Sequence, residues 1–144
     1  VDTIYGVSKR YNEFLLNKLN FQEKNSFLCL RIPSIFGPGM KPNYVSVVAT
    51  FCYNIANQIE SKIIDGDKVL QLLFIDDLIY DINDKIVNRK IVGYELLDFF
   101  PNTEKISVQD LYERISNIVA NGLNPNNMLS KNLFTTYNYF VEKE

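Results

Sequence analysis

Tyr5 and Lys9 are the residues of this sequence whose types and spacing could carry out acid–base chemistry. They are four residues apart, so on a helix they lie on one face, one turn from each other. A free tyrosine has a pKa of roughly 10 and is a poor acid or base at neutral pH, but a nearby ammonium favours the phenolate. Such a pair can donate a proton to a carbonyl oxygen as hydride arrives, or accept one in the reverse reaction. The spacing is common, and by itself it is more typical of a surface helix with an exposed lysine.

Composition removes several other kinds of catalysis. The 144 residues include no histidine and two cysteines, Cys29 and Cys52. This excludes Ser–His and Cys–His pairs and argues against a zinc site or a disulfide framework. We therefore expect no metal, and we interpret both cysteines as small core residues.

The charge and hydropathy patterns also limit the partners. A net charge of −2 gives no electrostatic attraction to nucleic acid or anionic membranes. No uninterrupted apolar run is long enough to span a bilayer. We expect a soluble, cytoplasmic protein with no nucleic-acid and no membrane partner.

Helices and strands alternate in the hydrophobic pattern around the Tyr–Lys pair, which predicts an α/β fold. The predicted helices cover residues 4–20, 44–59, 76–88, 108–121 and 128–140, and the predicted strands cover residues 27–32, 62–64, 69–75 and 91–99. The strand at 27–32 is nearly all apolar, as in a parallel sheet buried on both faces, and the glycines and prolines after it predict a loop. Ser107 with Asp110 resembles a capping box. No Gly-x-Gly-x-x-Gly follows a strand, so the sequence shows no recognisable dinucleotide-binding loop.

Four signals occur in one recognisable order. The Tyr5–Lys9 helix is followed by residues 30–39 (LRIPSIFGPG), residues 41–48 (KPNYVSVV) and residues 75–77 (IDD). This order resembles the extended short-chain dehydrogenase/reductases that act on nucleotide sugars, in the NAD-dependent epimerase/dehydratase family. More narrowly, residues 41–57 and 131–137 resemble the capsular-polysaccharide UDP-4-keto-sugar reductases of the UDP-N-acetyl-L-fucosamine pathway.

The resemblance implies a fold and a place within it. The chain is expected to be a single partial domain from the C-terminal, substrate-binding half of a Rossmann-like enzyme, without the N-terminal dinucleotide-binding half. Residues 1–40 would end the Rossmann-like core, and residues 41–144 would form the substrate-binding part. In the family a zinc-bearing cupin domain follows, and these residues contain nothing of it.

The resemblance also assigns roles toward the cofactor, which would be NADP or NAD bound mainly by the missing half. Tyr5 would donate the proton to the 4-keto oxygen. Lys9 would favour the phenolate form of Tyr5 and hydrogen-bond the nicotinamide ribose. The backbone around Pro33 and Ile35 would lie beside the nicotinamide carboxamide.

Four further residues are expected to contact the sugar nucleotide: Ser34, Asn43, Ser46 and Val47. Ser34 stands where the family usually has asparagine, so its shorter hydroxyl reaches less far. Ser46 and Val47 also suit the start of a helix. Leu70 occupies the place where many relatives carry an arginine for the diphosphate, so other groups would have to bind that diphosphate.

The expected activity is reduction of a UDP-4-keto-6-deoxy-hexosamine in capsular or surface polysaccharide biosynthesis. A nucleotide-sugar epimerase, a 4,6-dehydratase and a non-catalytic remnant that binds a nucleotide sugar or a protein are the alternatives. The chain alone is expected to be inactive, because the cofactor half is absent. The expected partners are the UDP-sugar, the missing N-terminal half, a cupin domain, and further copies in a homo-oligomer, because bare apolar strand edges favour association.

Overall fold

The computed structural model describes residues 3–23, 25–88, 91–122 and 127–142. Its elements, in chain order, are α1 (Ile4–Glu23), β1 (Phe27–Leu30), β2 (Ser34–Phe36), α2 (Val47–Ala56), β3 (Val69–Phe74), α3 (Ile75–Asn83), a π-helical turn (Asp84–Asn88), β4 (Tyr94–Leu97), β5 (Glu104–Ser107), α4 (Val108–Asn121) and α5 (Met128–Val141). The predicted α/β class is confirmed. The chain divides into two compact units, Val1–Ile32 with Ile79–Phe100, and Pro33–Leu78 with Pro101–Glu144.

The first unit contains α1 and a two-stranded parallel sheet of β1 and β4. Phe27 pairs with Tyr94 at one end of the sheet, and Leu30 pairs with Leu97 at the other. The N–H of Phe27 donates to the carbonyl of Gly93 over 2.7 Å. Gly93 has a φ of 74°, which glycine adopts without steric cost as the chain turns into β4.

The second unit contains a three-stranded sheet in the order β2-β3-β5. β2 pairs with β3 in parallel, and β3 pairs with β5 in antiparallel orientation. Helices α2, α4 and α5 pack with this sheet around one apolar core. The side chains buried in this core are Phe36, Val48, Ala49, Phe51, Cys52, Leu72, Phe74, Ile106, Leu111, Ile115, Ile118, Leu129, Leu133 and Phe140.

Side-chain caps begin helices α4 and α5 of the second unit. Ser107 accepts a hydrogen bond from the Asp110 N–H over 3.0 Å, which confirms the predicted start of α4. Asn127 does the same for α5, from the Ser130 N–H over 2.8 Å. Each cap satisfies an N–H that has no partner within its own helix.

Several predicted elements are wrong in extent or type. The helix predicted from residue 44 begins only at Val47, because the Ser46 side chain caps it. Residues 34–36, predicted as loop, form β2, and β5 was not predicted. Residues 62–64 form no strand, and Ile64 is 89% exposed. The strand predicted at 27–32 ends at Leu30, and its side chains are half-buried rather than buried.

None of the helices in the described part of the chain is long and apolar enough to cross a membrane. Within the same residues, no three acidic, cysteine or histidine side chains come together as a metal site.

Candidate active site

Helix α1 presents Tyr5 in its first turn, and Thr3 caps that turn. The Thr3 hydroxyl accepts a hydrogen bond from the Gly6 N–H over 3.1 Å, and the Thr3 carbonyl accepts one from the Val7 N–H over 2.9 Å. The cap fixes the backbone direction from which the tyrosine side chain projects.

Tyr5 and Lys9 lie together in the first unit. The Lys9 Nζ is 5.2 Å from the centroid of the Tyr5 ring, within the range of a cation–π contact. Tyr5 is 70% exposed, so its phenol is open to a ligand rather than enclosed in packing. An accessible proton donor with a positive charge beside its ring is therefore available on this helix.

An ion pair anchors α1. Arg31, which follows β1, donates from Nε to Glu13 Oε1 over 3.0 Å and from Nη2 to Glu13 Oε2 over 2.7 Å. The Arg31 hydrogen bond holds the pKa of the Glu13 carboxyl below its usual value. Arg31 Nη1 also lies 3.9 Å from Asp98, just after β4. The helix is thus tied to the carboxyl ends of both parallel strands, the edge at which open α/β sheets bind ligands.

Glu13 was not singled out in the sequence, although a signal for it exists. Tyr5, Lys9 and Glu13 follow one another at intervals of four, so they form one stripe along α1. The arginine partner is 18 residues away, and no local pattern points to it. Glu13 and Arg31 orient the helix and do not themselves carry the acid–base chemistry.

The first unit contains another phenol, Tyr94 on β4, in a different environment. The pKa of Tyr94 is raised to about 12, mainly by partial burial and to a smaller extent by a hydrogen bond with Cys29. A phenol with such a pKa stays protonated at neutral pH and is a poor general base. Tyr94 is half-buried and Tyr5 is exposed, so a ligand can reach the phenol of Tyr5 more easily.

Pro33, Ser34 and Ile35 lie in the second unit, along β2 or directly before it. Ser34 pairs with Leu72 and Ile35 with Leu73 in the parallel ladder with β3. Ser34 is exposed, and the other two side chains are half-buried. In the described part of the chain β2 is an edge strand. Among the described residues, the backbone groups on its other side have no strand partner.

Asn43, Ser46 and Val47 lie on the loop that enters α2, also in the second unit. Asn43 is exposed and has a φ of 55°. The Ser46 side chain is 7% exposed, and its hydroxyl accepts from the Ala49 N–H over 3.2 Å. The hydroxyl of Ser46 therefore serves as a helix cap, and Asn43 is the more accessible polar side chain of this group.

Two further features of the second unit are the side chain of Leu70 and a pocket beside this loop. Leu70, on β3, packs against the apolar core and supplies no positive charge. A pocket of about 440 Å³ lies beside the loop, lined partly by Lys41 and Tyr53. It contains none of the residues predicted to contact cofactor or substrate.

Asp77 occupies the first turn of α3, where a carboxylate meets the positive end of the helix dipole. Its Oδ1 accepts a hydrogen bond from Asn102 Nδ2 over 3.1 Å. The carboxylate thus joins α3 to the segment before β5, and its geometry is that of a structural contact.

Much of this chain is similar in sequence to known proteins. Residues 2–89, more than half of the chain, match the NAD dependent epimerase/dehydratase family. A UDP-2-acetamido-2,6-beta-L-arabino-hexul-4-ose reductase of Pseudomonas aeruginosa is 35% identical over 115 residues, which are 80% of this chain and 30% of the relative. The chain thus spans about a third of the length of that protein.

Solved structures show the same fold. The capsular polysaccharide assembling protein CapF from Staphylococcus aureus superposes with a TM-score of 0.82 at 30% identity, over 97% of this chain and 39% of that one. The UDP-glucose 4-epimerase of Thermotoga maritima, solved with UDP-glucose, superposes with a TM-score of 0.80 at 18% identity, over 96% of this chain and 53% of that one. At the latter identity the likeness concerns the fold.

Proposed function

The chain belongs to the NAD dependent epimerase/dehydratase family, and from this membership we propose that it is part of a nucleotide-sugar reductase in which Tyr5 is the catalytic acid. The observation that carries the proposal is the exposed Tyr5 phenol with the Lys9 ammonium 5.2 Å from its ring. Proton transfer to a ketone oxygen needs an accessible O–H donor, and the cation lies over the face of the ring that carries this one.

Residues of each unit are proposed to bind the nicotinamide end of NADP or NAD. The Lys9 ammonium carries three donors and no acceptor, which suits the hydroxyls of the nicotinamide ribose. The edge of β2 at Pro33 and Ile35 offers backbone groups that suit a carboxamide. When bound, the reduced cofactor supplies the hydride. The chain's own contribution is to orient the ribose through Lys9 and to deliver a proton from Tyr5.

The proposed substrate is a UDP-4-keto-6-deoxy-hexosamine, used in making capsular or surface polysaccharide. Its support is the 35% identity to a reductase whose name describes a UDP-linked acetamido-hexulose, together with the 30% identity to CapF. Asn43, Ser46, Val47 and Ser34 are proposed to contact the nucleotide sugar, with Asn43 offering the most accessible amide.

A 4-epimerase or a 4,6-dehydratase is the second candidate, because both reactions also need a tyrosine that exchanges a proton with a sugar oxygen. The printed identities favour the reductase: the epimerases solved with UDP-sugars are 15–18% identical, which supports the fold and not the reaction. A non-catalytic remnant is disfavoured by the open, lysine-paired position of Tyr5.

Catalysis is also proposed to require groups outside these 144 residues, since no glycine-rich phosphate loop occurs in the sequence. The position of a reacting carbonyl must be held within a fraction of an ångström. We therefore expect the isolated chain to be inactive and the natural full-length protein to be the active species. A cupin domain and a homo-oligomeric assembly are further proposed partners.

The direct test is oxidation of NADPH or NADH by the natural full-length protein with a UDP-4-keto-6-deoxy-hexosamine. Tyr5→Phe should lower kcat by about 100-fold or more, the usual contribution of a general acid, while nucleotide binding stays unchanged. Tyr11→Phe is the matched control, because Tyr11 is an exposed phenol on the same helix. Full activity of Tyr5→Phe would refute the proposed mechanism.

A second pair of variants isolates the role of the ammonium. Lys9→Gln should lower kcat, whereas Lys18→Gln should not. Lys18 also lies over an aromatic ring of α1, that of Phe14 at 5.5 Å, but this ring carries no hydroxyl. Equal losses in the two variants would show that the lysines act only through the stability of the helix.

A further inference from the structure

Thr50 joins the loop at residues 43–46 to the first turn of α2 through two hydrogen bonds. Its hydroxyl accepts from the Asn43 N–H over 2.9 Å and donates to the Ser46 carbonyl over 2.8 Å. A threonine hydroxyl has one hydrogen to donate and two lone pairs, so both bonds form at once. One side chain thereby connects the two ends of the loop.

The loop needs such a connection because of its conformation and its exposure. Asn43 lies in the left-handed region, with a φ of 55°, which asparagine tolerates better than most residues. Tyr44 and Val45, the next two residues, are each more than 70% exposed. Core packing therefore does not shape the outer part of the loop, and the bonds on its inner side must do so.

We propose that Thr50 is a positioning residue that holds this loop, and the Asn43 side chain on it, ready for the nucleotide end of the substrate. The inference rests on the proposed function, because it assumes that Asn43 and its neighbours contact the nucleotide. Thr50 does not itself touch the reacting atoms. Its contribution is to the ordering of the loop before binding, which lowers the entropic cost of association.

The bond from the Asn43 N–H is exposed, and the bond to the Ser46 carbonyl is partly buried, which predicts where the effect of losing them will appear. Water can replace Thr50 at the exposed Asn43 N–H, so the folded state should lose little stability. The loop would instead sample more conformations, and the ligand would have to order it on binding. The loss should therefore fall on nucleotide affinity and KM, with kcat unchanged, since the same contacts exist before and during the chemical step.

The experiment measures UDP affinity by calorimetry, and KM and kcat for the UDP-sugar, in the natural full-length protein. Thr50→Val keeps the shape of the side chain and removes both bonds. We expect it to weaken UDP binding by about three- to tenfold, the effect of losing one ordering hydrogen bond, with a similar rise in KM. Thr50→Ser keeps the hydroxyl and should restore affinity to within about twofold.

Thr136→Val is the matched control. The Thr136 hydroxyl donates to the Asn132 carbonyl four residues earlier over 2.8 Å, as Thr50 does to Ser46, but it accepts from no loop amide among the residues that the structure describes. Thr136 is fully buried, so its replacement should lower the melting temperature more than Thr50→Val does and leave UDP affinity unchanged. This opposite pattern separates loop ordering from general stability.

Three results would overturn the inference. The first is wild-type UDP affinity in Thr50→Val, and the second is a failure of Thr50→Ser to restore binding. The third is an equal loss of affinity in Thr136→Val. If the unsubstituted protein binds no UDP, the proposed function itself fails and the inference falls with it. If the unsubstituted protein binds UDP and Thr50→Val binds it equally well, the inference about Thr50 is refuted and the proposed function stands.

Discussion

Replacing Gly37 by alanine tests the close packing between the end of β2 and the start of α3. Gly37 is buried, and a Cβ placed on it would lie 2.5 Å from Ile75 Cγ2 and 3.2 Å from Ile75 Cβ. Ile75 is β-branched and begins a helix, so its χ1 angle has little freedom to move that methyl group away. Forcing one extra methyl into such a contact costs about 1–3 kcal/mol.

Thermal and urea unfolding would measure this cost. A loss of that size should lower the melting temperature by about 2–4 °C for each kcal/mol in a domain of this size. Gly66→Ala is the control, since the nearest atom to its Cβ would be Gln109 Cβ at an ordinary 3.4 Å. There the alanine should be neutral or stabilise by up to about 1 kcal/mol, through the lower entropy of the unfolded chain.

A double variant identifies the clashing atom. Ile75→Ala removes Cγ2 but keeps Cβ, which would still lie 3.2 Å from the new methyl, and the φ of 158° at Gly37 is unchanged. Gly37→Ala should therefore cost less in that background than in the wild type, with part of the cost remaining. Residues in direct contact are expected to show such non-additivity. The argument is refuted if Gly37→Ala is as mild as Gly66→Ala, or if its cost is unchanged when the Ile75 side chain is truncated.

Three further outcomes follow from contacts described above. Glu13→Gln should lower the free energy of unfolding at pH 7, because Arg31 lowers the folded-state pKa of Glu13 and so stabilises the folded protein. The difference in unfolding free energy between variant and wild type should shrink as the pH falls below about 4.3, where Glu13 becomes protonated. A difference that persists in acid would contradict this. Ser107→Ala should cost about 1 kcal/mol in urea unfolding, since it removes the α4 cap, and no change would mean that water replaces the cap. The Cys52 thiol should react slowly with a disulfide reagent until urea unfolds the chain, because burial raises its pKa to about 12; rapid labelling of the native protein would show that the core opens.

Local patterns predicted some elements well. The start of α4 follows from a serine and an aspartate three residues apart, and both act within one helical turn. β2 and β5 could not be predicted in the same way, because each is four residues or shorter and exists by pairing with β3. Residues 62–64 have the composition of a strand, but in the described part of the chain no ladder includes them.

In the candidate site, too, local contacts could be predicted and contacts between distant segments could not. The proximity of Tyr5 and Lys9 follows from helical spacing, and the structure places them together. The clamp of Glu13 by Arg31 and the loop bond from Asn43 to Thr50 depend on how separate segments fold against each other. Neither pair forms a motif that the sequence alone could single out. The catalytic and binding roles of these residues stay predictions until the assays above are made.

The stripe of Tyr5, Lys9 and Glu13 along α1 has a consequence for how this sequence can vary in length. An α-helix turns by about 100° with each residue, and Arg31 holds Glu13 at one rotational setting. Losing or gaining a single residue between Tyr5 and Glu13 would therefore swing the phenol about a quarter of the way around the helix axis. Natural variants of this protein should tolerate substitutions in that interval far better than insertions or deletions.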